Sequence, residues 1–364
     1  MKDSWTIAVD AKRLFHNKEG LGQYARTLMK EMQALNPQHR YILCTPSLSK
    51  DYPYFLDNKR FSILQPGKQI LPWYWRQKGI VNDLRRHKVD FFIGLSNEIP
   101  KGLKSTRIKS VVSIHDLLYK VFPQQFTKVD RLIYHRKFTH AVQQSDAIMV
   151  TSHATKKDLL RYHGPNKDKI HVIYQSVMDV ASEIIPLQER QHFLAVGTIN
   201  ERKNLDLLVE AYNILPLSHR KPVVVVGKGR RYEDNLKLKV KEYGLETYFD
   251  FKGYVTDKEL NALYMQAVAL VFPSKYEGFG RPVIESISLG TPVITGNNSS
   301  LPEVVGKHGI IIEYDRPEHL RDAMMKINQL STSKELLEGR MAHLQKFTAQ
   351  EHITLIMNML YKLI

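Results

Sequence analysis

Short apolar runs alternate with amphipathic stretches along the whole chain, and no other feature restricts the fold as much. A brief run without a polar side is what a strand covered on both faces requires, and the stretches between have helical spacing. Trp5–Val9, Tyr41–Cys44, Phe91–Ile93, Lys109–Ile114 and Ala147–Thr151 predict strands of a first unit. Phe193–Val196, Val223–Val226, Tyr248–Phe251, Ala269–Phe272, Pro292–Thr295 and Ile310–Ile312 predict those of a second. Strands linked through helices lie parallel, so the pattern predicts two doubly wound α/β domains. At about 150 residues per domain, the 364 residues allow two.

The expected division is a first Rossmann-like domain over 1–178, a linker over 179–191, a second domain over 192–349 and a final helix over 350–364. Met178–Gln191 has no periodicity and carries Pro186 among charges, which reads as a connection. The final helix places Ile353, Ile356, Met357 and Leu360 on one face, which must dock and can cross back to the first domain.

The charge balance narrows the function. Fifty-three Lys and Arg against 37 Asp and Glu leave a net +16, which attracts phosphates, anionic lipid or nucleic acid. With no zinc-finger spacing, aromatic-rich basic strand motif or helix-turn-helix, a phosphate-bearing small substrate or a lipid surface leads. The stretch containing Lys101, Lys120, Lys128, Arg131 and Arg136 is a candidate basic face. The lone Cys44 makes no internal disulfide, so a reducing, cytoplasmic setting is expected. No apolar run approaches the roughly 18 residues of a spanning helix.

Three segments carry candidate chemistry. After the first strand, His16–Tyr24 brings Gly20 and Gly22 in front of apolar residues at helical spacing; such a loop either cradles an anion or simply turns tightly. The second domain opens with Gly197-Thr198-Ile199-Asn200-Glu201-Arg202-Lys203-Asn204, two cations just before a helix for which Asn204 is the candidate cap. The third is Pro273–Ser286, where Gly278 and Gly280 precede Pro282 at an expected helix start. Glu277 falls in that loop and Glu285 one turn into the helix, too far apart to share a proton but suited to separate hydroxyls of one elongated ligand.

Taken together, Glu277-Gly278-Phe279-Gly280-Arg281-Pro282-Val283-Ile284-Glu285 resembles the glutamate, seven residues, glutamate signature of family-4 glycosyltransferases. The similarity extends to Gly197–Leu205, to Gly253-Tyr254-Val255 and to Gly290–Ile294 with Ser299–Gly306. In the first half, Gly20-Leu21-Gly22-Gln23-Tyr24 and Ile114-His115-Asp116-Leu117 resemble a subgroup rich in bacterial mannosyltransferases. The resemblance implies the α/β GT-B fold of two facing Rossmann-like domains. It implies a nucleotide-diphosphate sugar donor, with Arg202 and Lys203 on the diphosphate, Glu285 on the ribose and Glu277 on the hexose. Gly197, Gly278, Phe279 and Gly280 would line the donor site; Gly20 and Gly22 would face phosphate, and His115 the sugar.

It further implies transfer with retention, mannose from GDP-mannose as first choice, to a saccharide or lipid-linked acceptor in surface polysaccharide synthesis. With no Asp-x-Asp in the chain, no metal or other cofactor is expected. Contact with an anionic membrane is expected from the basic face, at its cytoplasmic side, and nucleic-acid binding is not. A GT-B nucleotide-sugar epimerase and a basic nucleic-acid-binding protein are the other readings. Arg281 departs from the family's usual apolar residue, and either adds a cation near the donor or faces solvent.

Overall fold

The computed structural model describes residues 4–177, 181, 185–186, 189–331 and 334–364, and of these the side chains at 328–331 and 334–338 lie outside the description. Most of the expected linker falls outside the described residues. The chain divides into two compact units: Met1–Ser176 with Ala349–Ile364, and Val177–Thr348.

The first unit contains strands β1 (Thr6–Asp10), β2 (Arg40–Cys44), β3 (Phe61–Leu64), β4 (Phe91–Gly94), β5 (Lys109–Ile114), β6 (Ala147–Val150) and β7 (Ile170–Val172). The second contains β8 (His192–Val196), β9 (Val223–Val226), β10 (Phe249–Gly253), β11 (Ala267–Phe272), β12 (Val293–Gly296) and β13 (Gly309–Ile312). The helices that matter below are α1 (Gly20–Leu35), α2 (Lys128–Gln144), α3 (Leu205–Asn213), α4 (Asp257–Gln266), α5 (Arg281–Ser288) and α6 (Ala349–Tyr361).

Both sheets are parallel. Their strand orders are β3-β2-β1-β4-β5-β6-β7 and β10-β9-β8-β11-β12-β13. The order reverses between β1 and β4 in one sheet and between β8 and β11 in the other, and ligands of open α/β sheets bind beyond the strand ends at such reversals. The strands β3 and β7 are absent from the sequence expectation. Each is a short edge strand, and neither Phe-Ser-Ile-Leu nor Ile-His-Val is a continuous buried apolar run.

One face of the first sheet packs Ile7, Val9, Leu43 and Ile93 against Leu28 and Met29 of α1 and against Ile353, Ile356 and Leu360 of α6. The apolar face of the final helix is thus spent in the first unit's core, where each buried aliphatic side chain contributes about 1.5–3 kcal/mol. Glu31 fastens this layer: its Oε2 lies 2.9 Å from His352 Nδ1 on α6 and its Oε1 accepts from Ser176 Oγ.

Candidate active site

The loops after β8 and β11, which leave neighbouring strands on opposite sides of the second sheet's reversal, meet through three charged side chains. Arg202 Nη1 lies 2.5 Å and Lys203 Nζ 2.8 Å from the same oxygen, Oε1 of Glu277. All three are mostly out of water, with side chains 18%, 10% and 12% exposed respectively. Two solvated surface cations would not look like this.

Local sequence explains the convergence. Asn200 accepts the Lys203 backbone N–H at 3.2 Å and closes a short 3-10 turn, Glu201–Lys203. Gly197 has φ +128, and a Cβ there would lie 2.9 Å from Lys203 Cε, so the lysine stem runs where only glycine leaves room. The ammonium rests 4.1 Å from the centre of the Phe272 ring, at the end of β11. Arg202 Nη1 also donates to the Tyr276 carbonyl at 2.8 Å, and the Lys275 N–H donates to the Arg202 carbonyl at 2.8 Å. The two loops are therefore laced by backbone as well as by charge.

Electrostatics follow from that burial. Burial by itself raises the Glu277 carboxyl, but Arg202 and Lys203 overcome it and hold the group down at about 2. Burial lowers Lys203, with Arg202 adding to the fall and Glu277 opposing it, and the ammonium comes down to about 8. At neutral pH the cluster is two cations around one carboxylate, with one positive charge in excess.

Asn204 does not cap α3 as expected. It stands at the cap position but with φ +58, and its side chain donates to the carbonyls of Pro273 at 3.2 Å and Tyr314 at 2.7 Å. Those acceptors come from the segments after β11 and β13, so the amide ties these connections together instead of serving its own helix.

Glu277 is positioned from behind. Its N–H donates to Ser299 Oγ at 2.9 Å, and Ser300 Oγ lies 2.9 Å from the Glu277 carbonyl and 2.8 Å from that of Phe279. Gly280, at φ +93, caps α5, where Pro282 occupies the first turn. Gly278 and Phe279 form the loop between, with Phe279 buried against Phe347. Phe272, Ser299 and Ser300 were not singled out from sequence as site residues; only the loop they would meet in three dimensions marks them.

Glu285 belongs to a separate network. Arg281 Nε lies 2.7 Å from its Oε1 and the Tyr264 hydroxyl on α4 donates to its Oε2 at 3.2 Å. Arg281 is 13% exposed, so it does not face solvent; it is Glu285's partner one helical turn away. Tyr264 gave no signal in sequence, since an aromatic at helical spacing reads as core.

The first unit holds the remaining expected residues, and they are structurally committed. Gly20 and Gly22 lie in the first turn of α1, not in a loop. The Gly22 N–H donates to Asn17 Oδ1 at 3.0 Å, and a Cβ on Gly22 would fall 1.7 Å from the Asn17 carbonyl oxygen. That glycine lets the helix sit on its own approach segment, as a tight turn does. His115 follows β5 and is buried; Nε2 donates to the Leu95 carbonyl at 2.8 Å, and burial lowers its pKa, so the ring is neutral with Nδ1 as acceptor. At the first sheet's own reversal, Arg76 joins Asp10 at 2.6 Å and Glu98 at 3.0 Å, and Lys137 reaches the other Glu98 oxygen at 2.9 Å. Sequence spacing gave no warning of this cluster, whose members are far apart in the chain.

Two parallel Rossmann-like units with cations fixed at a strand-order reversal suit an enzyme that binds a phosphate-bearing ligand, and the comparisons supply its class. Residues 19–178 match the model described as Glycosyltransferase Family 4 and residues 181–338 that described as Glycosyl transferases group 1. The chain belongs to these glycosyltransferase families. It is 27% identical over 375 residues to O-antigen chain mannosyltransferase B of Escherichia coli, covering 95% of this chain and 96% of that protein. It is 28% identical to the serotype-specific mannosyltransferase WbdA of Escherichia coli over 71% of this chain and 34% of that protein. Among solved structures, that of Anabaena HepE in complex with UDP superposes with a TM-score of 0.75 at 16% identity, covering 98% of this chain and all of that one. Among the described residues no helix is long and apolar enough to cross a membrane.

Proposed function

We propose that the protein transfers a hexose, with mannose from GDP-mannose as first choice, from a nucleoside-diphosphate donor to a saccharide or lipid-linked acceptor in surface polysaccharide synthesis. The observation that carries this is the convergence of Arg202 and Lys203 at the second sheet's reversal, a fixed positive site whose charge suits a diphosphate. The mannosyltransferase names of the Escherichia coli relatives, both concerned with O-antigen or serotype, support the sugar and its destination.

In this reading Glu277 holds the two cations together before the donor arrives, and a diphosphate then shares them. Its carboxylate then accepts from hexose hydroxyls. Glu285, oriented by Arg281 and Tyr264, accepts from the ribose. In the first unit, His115 serves as a neutral hydrogen-bonding group for a sugar hydroxyl.

The bond from the anomeric carbon to the diphosphate oxygen breaks and its electron pair leaves with the diphosphate. The acceptor hydroxyl oxygen bonds to that carbon on the same face, and its proton passes to the departing phosphate oxygen, so configuration is retained. Cations already in place where charge develops stabilise the transition state more than the ground state. The reading assigns that task to Arg202 and Lys203 and requires no divalent metal.

Thermal stabilisation by a panel of nucleoside-diphosphate sugars tests the proposal, because a ligand binding only the folded chain raises its stability. GDP-mannose is expected to give the largest shift, and the same compound is expected to support transfer to an acceptor glycan. A shift with no nucleotide sugar in the panel refutes the reading.

A further inference from the structure

Three features of the Lys203 surroundings act together on its amine. The first is a neighbouring anion seat. Arg202 Nη1 and Lys203 Nζ lie 2.5 and 2.8 Å from the same oxygen of Glu277, close enough for one small molecule to touch both. A guanidinium takes phosphate oxygens through its planar fork and keeps its charge at any ordinary pH.

The second is a recess. A small apolar cavity of about 10 Å³, lined among others by Gly197, Leu205, Val226, Val271 and Phe272, opens beside the lysine stem. Nζ rests on the Phe272 ring, which forms part of its wall. The space admits one group about the size of a water, and its lining favours an apolar one. The third is the state of the amine itself. Burial, with Arg202 adding to it and Glu277 opposing, lowers Lys203 to about 8. A sizeable fraction is therefore neutral near physiological pH, where an ordinary lysine near ~10.4 holds almost none. Only the neutral form is a nucleophile. Anion seat, amine and recess match the phosphate, the carbonyl carbon and the methyl group of acetyl phosphate.

We propose that Lys203 is a site of N-acylation by short-chain acyl phosphates, acetyl phosphate above all, and that the modification shuts the donor site. This deepens the preceding reading and rests on it only in that a phosphate reaches these cations. The Nζ lone pair bonds to the carbonyl carbon, and the bond from that carbon to the bridging oxygen breaks. Its electron pair leaves with the phosphate, which takes a proton from the nitrogen and departs as inorganic phosphate. The product is a neutral amide. The trio loses its surplus positive charge, Arg202 and Glu277 remain as a balanced pair, and a diphosphate loses one of its two cations. A bound donor covers the same cations, so the modification falls on chain that is short of donor.

Mass spectrometry of the full chain treated with acetyl phosphate reads each lysine separately. At pH 8, Lys203 is expected to react about tenfold faster than Lys18, whose side chain is 82% exposed. Its rate is expected to level off above that pH while that of Lys18 continues to climb. Saturating GDP is expected to suppress the reaction at Lys203 and leave Lys18 unaffected. The N-hydroxysuccinimide ester of acetic acid carries no phosphate and separates the seat from the amine. Arg202→Ala is expected to lower the Lys203 rate with acetyl phosphate, relative to that ester, by about tenfold. Butyryl phosphate, too long for the recess, is expected to be about tenfold slower than acetyl phosphate at Lys203 and equal to it at Lys18.

Reaction of Lys203 no faster than that of Lys18 overturns the proposal, and this comparison needs no variant. An unchanged ratio of the two reagents in Arg202→Ala also overturns it. A thermal shift with nucleotide sugar in a chain whose Lys203 stays unmodified sinks the acylation alone. Acetylation that GDP does not slow, with no thermal shift from any nucleotide sugar, upholds the acylation and counts against the donor site.

Discussion

Lys203 Nζ sits 2.8 Å from Glu277 Oε1 and 4.1 Å from the centre of the Phe272 ring, so its charge is engaged within the protein. On the proposed reading a diphosphate competes with a carboxylate for this ammonium, and the competition sets what substitutions do.

Replacing Lys203 or Arg202 with Ala is expected to lower the transfer rate by about 10²-fold, the scale seen when a fixed transition-state donor is removed. The effect should fall on kcat more than on KM, because in the proposed reaction the cations act chiefly on charge that develops as the diphosphate departs. Single-turnover rates with saturating donor would show this, and near-normal rates would remove both residues from the reaction.

Glu277→Gln should have two opposite effects. Without the carboxylate, two buried cations repel and the free protein loses about 3 kcal/mol of stability, measurable by urea unfolding. A free nucleoside diphosphate, relieved of its competitor, is expected to bind about tenfold more tightly by calorimetry while transfer falls. Unchanged diphosphate affinity would show that the carboxylate and the diphosphate do not share the cations.

The pH dependence follows from the same trio. Lys203 in the folded chain loses its proton near pH 8, so kcat/KM should decline above that point, and Lys203→Arg should move the decline to higher pH. Because its folded value lies below the unfolded one, the unfolded chain holds more protons between about 8 and ~10.4, and this group's contribution makes stability rise with pH there. Glu277 acts in the same sense in a lower window: its folded value of about 2 lies below the unfolded ~4.3, so its contribution is whole above that and fades as pH falls toward 2. Chemical denaturation at stepped pH, wild type against Glu277→Gln, separates the two.

Arg281 is a positioning residue for Glu285. Arg281→Leu frees one carboxylate oxygen, and donor affinity is expected to weaken by about tenfold, the loss of one charge-assisted hydrogen bond. The rise should appear in KM with kcat nearly intact, and Arg281→Lys should rescue little because it cannot reproduce the guanidinium Nε contact. A fall in kcat at unchanged KM would place Arg281 in the chemistry instead.

Gly22→Ala provides a structural control. Its Cβ would meet the Asn17 carbonyl at 1.7 Å, and relief requires moving the start of α1, which is expected to cost about 3 kcal/mol. Thermal unfolding reads the loss; an unchanged midpoint would mean that the approach segment yields easily.

Strands buried on both faces were legible because their apolar runs are continuous, as in Val223–Val226 and Ala269–Phe272. The edges β3 and β7 escaped because half-buried strands mix polar residues into a short span. The loops bearing Arg202, Lys203 and Glu277 were found from glycine and charge spacing, but not that the three would bind one another, since their separation in sequence is 74 residues. Asn204 shows the limit most clearly: cap chemistry at a helix start was the local expectation, and two carbonyls from distant loops claimed its amide.

The α6 helix lies in the heart of the first unit, with Ile356 and Leu360 wholly buried beside Ile7 and Val9 of β1. A ribosome must therefore make the whole of the second unit before that hydrophobic interior can close. During synthesis the earlier segment waits half-assembled while the second unit folds ahead of it, and deleting α6 should unravel the sheet that β1 begins.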